Sequence, residues 1–99
     1  MIATAPRAIW MVIGAMVIVT MPELPAMSAP AKRSVTIGGH RTSVSLEDAF
    51  WRELRGIAKM RGQTAAALIA AIDAKRPAEV GLATALRLYV LSELLKRLR

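Results

Sequence analysis

The sequence predicts a mainly α-helical domain that opens with a short β-ribbon and carries an additional C-terminal helix. Three observations predict it. Residues 34–46, "SVTIGGHRTSVSL", alternate polar with β-branched residues around Gly38-Gly39. From about residue 47 the apolar spacing changes from two to 3.6, the change of period that separates strand from helix. Gly62 and Pro77 then divide the helical stretch into three runs.

The ribbon comes first. Glycine adopts positive φ at no steric cost, so Gly38-Gly39 reads as a turn between two short strands. The second strand is Arg41 to Leu46, and its side chains alternate between faces. Thr42, Val44 and Leu46 share the face that packs on helices. Arg41, Ser43 and Ser45 share a face that donates and accepts hydrogen bonds.

Helix A is expected to begin at Ser45 or Leu46, with Asp48 completing a Ser-x-x-Asp capping pattern. Glu47 and Asp48 suit the positive end of its dipole. Phe50, Leu54, Ile57, Ala58 and Arg61 form one stripe at helical spacing, with Trp51 beside it. Arg52, Arg55 and Lys59 lie away from that stripe, and Gly62 ends the helix in a left-handed conformation. Helix B starts from Thr64 as N-cap. Its apolar face is Leu68, Ile69 and Ile72, and Lys75-Arg76-Pro77 stops it. Helix C spans about Leu82 to Leu98. Ala83, Leu86, Val90, Leu94 and Leu98 make its stripe, which Leu82, Tyr89, Leu91 and Leu95 widen. Gly81 gives it no strong N-cap. So apolar a helix calls for more cover than one small subunit offers, and a dimer is expected.

The first 31 residues read differently. Residues 8–21, "AIWMVIGAMVIVTM", carry no charge. That length is short of the roughly 20 residues a helix needs to cross a bilayer. Three readings fit: a signal-peptide core behind Arg7, a membrane anchor, or a leader ahead of a true start at Met21 or Met27. "PELPAMSAPA", residues 22–31, holds three prolines and reads as a linker. The expected division is therefore 1–31 as leader and linker, and 32–99 as the working domain.

Composition narrows the function. Lys and Arg number 14 against 7 Asp and Glu, a net charge of +7, which favours anionic partners. With no cysteine there is no disulfide framework and no thiolate metal site. His40 is the only histidine and sits beside a turn, which suits a structural role. Glu47-Asp48 reads as helix-capping charge and not as a catalytic pair, and no metal-ligand spacing or phosphate-binding glycine loop occurs, so no enzyme, metal or cofactor is expected.

The stretch "TSVSLEDAFWRELRGIAKMRGQTAAALIAAI" resembles the ribbon-helix-helix family, the superfamily of Arc-like and methionine-repressor-like proteins. With "KRSVTIGGHRTS" before it and "GLATALRLYVL" behind, it is similar to a longer bacterial subfamily. The resemblance covers about residues 32–95. It implies a dimer that pairs two strands into a ribbon and inserts the ribbon into the major groove of double-stranded DNA. On that resemblance Arg41, Ser43 and Ser45 face the bases. Lys32, Arg33 and the helix start at Thr64 meet phosphates. Val44, Leu46, Phe50, Trp51, Leu54, Leu68 and Ile72 form the core and dimer contacts.

The expected function is a dimeric, cytoplasmic, nucleoid-associated transcriptional regulator, or the DNA-binding half of an antitoxin-like system. The competing reading is a protein-interaction module that dimerises and holds a partner through residues 82–98. A working signal or anchor in residues 1–31 would favour that second reading and a membrane-bound or exported location.

Overall fold

The computed structural model describes the backbone of residues 9–12 and 17–20 and the whole of residues 22–99. Two short strands, β1 (Ile9–Val12) and β2 (Val17–Thr20), pair antiparallel. The apolar leader thus contains a strand pair, and its Met21 lies outside the described residues. Residues 22–30 have no regular structure. The domain follows as β3 (Ala31–Ile37), β4 (His40–Leu46), α1 (Asp48–Met60), α2 (Ala65–Lys75) and α3 (Leu82–Lys96).

β3 and β4 form a two-stranded antiparallel hairpin. Gly38 and Gly39 have φ of 57° and 80°, the double positive φ that a two-residue hairpin turn requires. This turn sets the register, from Ile37 opposite His40 to Ala31 opposite Leu46. The resemblance implies a ribbon paired across two chains; within one chain, β3 covers one edge of β4 and leaves its other edge open among the described residues.

α1 does not begin at Ser45 or Leu46. Ser45 is still in β4 and exposed, and the N-cap is Glu47, whose side chain makes no capping bond. The strand has first claim on Ser45 because its partner Lys32 continues the ladder. Ser28 of the linker supplies an acceptor instead: the Asp48 N–H donates to its Oγ at 3.2 Å. The other end of α1 is as expected. Gly62 has φ of 69°, its N–H donates to the Lys59 carbonyl, and the Gln63 N–H donates to that of Ala58. These two bonds make a Schellman motif.

Thr64 caps α2, its Oγ1 accepting from the Ala67 N–H at 3.0 Å. The helix stops at Lys75, one residue before the extended Arg76 that precedes Pro77. α3 starts at Leu82 from Gly81 without a side-chain cap.

One core joins these elements. Val35, Val44, Leu46, Leu54, Ile57, Ala58, Leu68, Ile69, Leu86 and Val90 are buried, and no polar or charged residue is buried with them among the described residues. Phe50, Trp51, Ile72, Leu82, Ala83, Tyr89 and Leu94 pack on it half-buried. Of the residues expected here, Val44, Leu46, Leu54 and Leu68 are buried, Phe50, Trp51 and Ile72 are half-buried, and Thr42, expected on the packing face, is exposed because it lies toward the turn end of the hairpin; the register adds Val35. α3 departs from expectation. Leu86 and Val90 are buried, but Leu91 and Leu95 do not widen their stripe: they lie with Leu88 on the opposite, exposed side, and Leu98, expected in the stripe, falls past the helix end at Lys96 and is exposed. No helix among the described residues is long and apolar enough to cross a membrane.

Candidate nucleic-acid interface

Directly opposed residues of an antiparallel pair project to the same side of the sheet. The register therefore builds each face from two strands. Lys32 opposes Ser45, Ser34 opposes Ser43 and Thr36 opposes Arg41. All six are exposed. They form a continuous polar face with two cations, four hydroxyls and no carboxylate. At about 3.3 Å per residue the face is roughly 13 Å long.

The expected base-facing residues Arg41, Ser43 and Ser45 thus lie together on this face. Ser34 and Thr36 double its hydroxyls, and reading β4 alone missed them. Their signal was present in the sequence: a two-residue Gly-Gly turn fixes the register, and the register places β3 residues opposite β4 residues.

The other face carries Val35, Val44 and Leu46 into the core. Arg33 lies on this inner face, opposite Val44. Its guanidinium donates to the Leu46 carbonyl at 3.0 Å and to Asp48 Oδ1 at 2.5 Å. It also stacks over the Trp51 ring, 5.3 Å from the centroid. Lys32 and Arg33, adjacent in sequence, are thereby separated by the strand's alternation. Lys32 is on the polar face, whereas Arg33 is engaged inside, with its side chain only 18% exposed. The Arg33 partnership holds the Asp48 carboxyl below its ordinary value.

Glu47 anchors the junction of ribbon and helix from the other side. Arg87 of α3 donates to both its carboxylate oxygens, at 2.8 and 3.1 Å. That hydrogen-bonded pairing lowers the Glu47 pKa. The two carboxylates expected as dipole charges thus act as clamps, tying the start of α1 to β3 and to α3.

Thr64 is exposed at the head of α2. With its hydroxyl on Ala67, the amides of Ala65 and Ala66 open the helix without intrahelical acceptors, as at any helix start. His40 is exposed at the turn, opposite Ile37.

A model of the ribbon-helix-helix domain matches residues 30–94, from the proline before β3 to the last turn of α3. No curated protein and no solved structure matches the chain. Members of the matching family are typically DNA-binding regulators. The match spans both strands of the hairpin and all three helices, and the chain belongs to the ribbon-helix-helix domain family.

Proposed function

We propose that this protein is a sequence-specific DNA-binding regulator that reads the major groove with the polar face of its β3–β4 hairpin. The observation that carries the reading is that face: Lys32, Ser34, Thr36, Arg41, Ser43 and Ser45, all exposed, cationic at both ends and free of acid. A two-stranded ribbon fits a groove about 12 Å wide. Arg41 is the residue with the reach and fork geometry to bind guanine O6 and N7. The hydroxyls serve as donors or acceptors toward other base edges. Lys32 meets a phosphate at the open end of the ribbon, and the α2 start at Thr64 holds a second. Arg33 is a positioning residue that fixes the ribbon on α1.

Dimerisation belongs to the same proposal. β4 is paired to β3 on one side only among the described residues. Two copies that join at β4 would set the two β4 strands side by side about a two-fold axis as the two-stranded ribbon that enters the groove, with each β3 at its flank. The test is a titration of the full chain on its own upstream region against random duplex, at several salt concentrations. Tight, selective binding with a steep salt slope supports the reading. Equal and weak binding to both duplexes refutes it.

One observation favours the second reading, a protein-interaction module. Within α3, Leu88, Leu91 and Leu95 recur at steps of three and four, and they are 57%, 49% and 48% exposed. This is the spacing of a helix-pairing seam. Under that reading Leu91→Glu with Leu95→Glu abolishes partner capture, while the mass and the DNA affinity of the chain stay as they were.

A further inference from the structure

Outside the ribbon, a stripe of positive charge without ion-pair partners among the described residues lies on α1. Arg52, Arg55 and Lys59 follow each other at steps of three and four, on the side of the helix opposite Leu54, Ile57 and Ala58. All three are exposed, and none forms an ion pair among the described residues. The nearby carboxylates are engaged elsewhere: Asp48 with Arg33, Glu47 with Arg87, and Glu53 with Arg97. Arg52 reaches Asp48 only as a distant charge.

These cations line a groove of about 520 Å³ that continues along the Gly62-Gln63 turn to the first residue of α2. Gly56, exposed in the middle of α1, lines it with them. A helix interior disfavours glycine. Packing does not require it here, because a Cβ built on Gly56 meets no atom within 4 Å. Its φ also lies outside the left-handed region, so backbone conformation does not require it either. What glycine leaves at this position is bare backbone beside Arg52 and Lys59, one turn away on either side, where a bulky, anionic chain can lie close.

We infer that the Arg52–Arg55–Lys59 groove over Gly56 is a second contact for DNA, one that takes the phosphodiester backbone without reading sequence. The inference rests on the DNA-binding reading of the ribbon and extends it: the ribbon supplies selectivity, and this groove supplies affinity. Its chemistry is point charge and guanidinium fork against phosphate oxygen. Its continuity with the α2 start places it next to the Thr64 phosphate contact proposed above.

The test uses the full chain and two variants on the same duplexes. R52Q/R55Q/K59Q removes the charge and keeps good helix formers. Each phosphate contact adds about 0.9 to the slope of log K against log salt. The expected result is a slope smaller by about 2 to 3, weaker binding to every duplex by the same factor, and an unchanged preference between them. K96Q/R97Q/R99Q, with the same loss of charge at the end of α3, serves as the control and changes the slope by less. G56L supplies the second arm. It is expected to keep or raise the melting temperature while lowering DNA affinity at least tenfold by placing a bulky side chain in the groove beside Arg52 and Lys59.

A slope in the triple variant equal to the control's overturns the inference, as does full affinity in G56L. If the unaltered chain is selective under either result, the ribbon reading survives and only the groove is lost. If the unaltered chain binds no duplex, both fall.

Discussion

Arg33 and Arg41 show how one residue type takes two roles eight positions apart. Both sit on the hairpin, but an odd-numbered place in β3 faces the helices and an odd-numbered place in β4 faces away. The register, with opposed residues summing to a constant, produces that inversion. Arg33 therefore stacks on Trp51 and bonds Asp48, while Arg41 is exposed. The two substitutions should separate cleanly. Arg41→Ala is expected to cost about 1–3 kcal/mol of discrimination between target and random duplex while leaving the melting temperature unchanged. Arg33→Ala should lower the melting temperature and weaken binding to all duplexes without changing their ranking. A competition titration paired with a thermal melt checks both, and a lost preference in Arg33→Ala would contradict the assignment.

At the scale of the element, α1 and α3 contrast. α1 has one apolar stripe and one cationic side, so a single contact surface satisfies it. Gly56 is its one weak position, and Gly56→Ala should raise stability by about 0.5–1 kcal/mol in a denaturant titration, because the added methyl has open space. α3 is apolar on two opposite sides. One side, Leu86 and Val90, is in the core at 0% exposure, and the other, Leu88, Leu91 and Leu95, is in solvent. The sequence pattern of α3 made no distinction between them, since leucine is equally suited to either. Substitution does distinguish them. Leu86→Ala should cost about 2–5 kcal/mol through lost burial and the cavity left behind. Leu91→Ala should stay within about 0.5 kcal/mol in the free chain. Chemical denaturation of the two variants measures the difference, and equal losses would place Leu91 in the core.

For the whole molecule, three carboxylates govern the response to acid. Glu47 is held down by Arg87, Asp48 by Arg33 and Glu93 by Lys96, each chiefly through a side-chain hydrogen bond. A group whose folded pKa lies below its unfolded value binds protons less readily when folded. Its stabilisation is complete above the unfolded value, about 3.9 for Asp and 4.3 for Glu, and is lost as pH falls through the lowered folded value. Melting temperatures should thus be level from neutral pH to about pH 5 and fall below about pH 4. Glu47→Gln should lower the plateau and flatten that fall. All three pairs meet solvent, so added salt should reduce the effect. Melts followed by circular dichroism from pH 7 to pH 2 test this, and a plateau that extends to pH 2 would exclude the clamps.

From residue 31 onward the sequence by itself determined the order of strands and helices, the Gly38-Gly39 turn, the Thr64 cap, the stops at Gly62 and Pro77, and nearly all of the core, whereas the β1–β2 pair was not legible in the apolar leader. These features depend on local backbone chemistry or on apolar period, and both are written in neighbouring residues. It also marked Arg41, Ser43 and Ser45 as one face, because alternation within a strand needs no partner. Tertiary structure alone decided the rest. Pairing with β3 kept Ser45 in the strand and moved the helix start to Asp48. The separation of Lys32 from Arg33 needed the position of Trp51 and Asp48, residues 15 or more places away. Glu47 became a clamp only because α3 brings Arg87 to it across 40 residues. Which side of α3 is covered was likewise settled by packing, since an apolar surface has no direction until another surface is set against it.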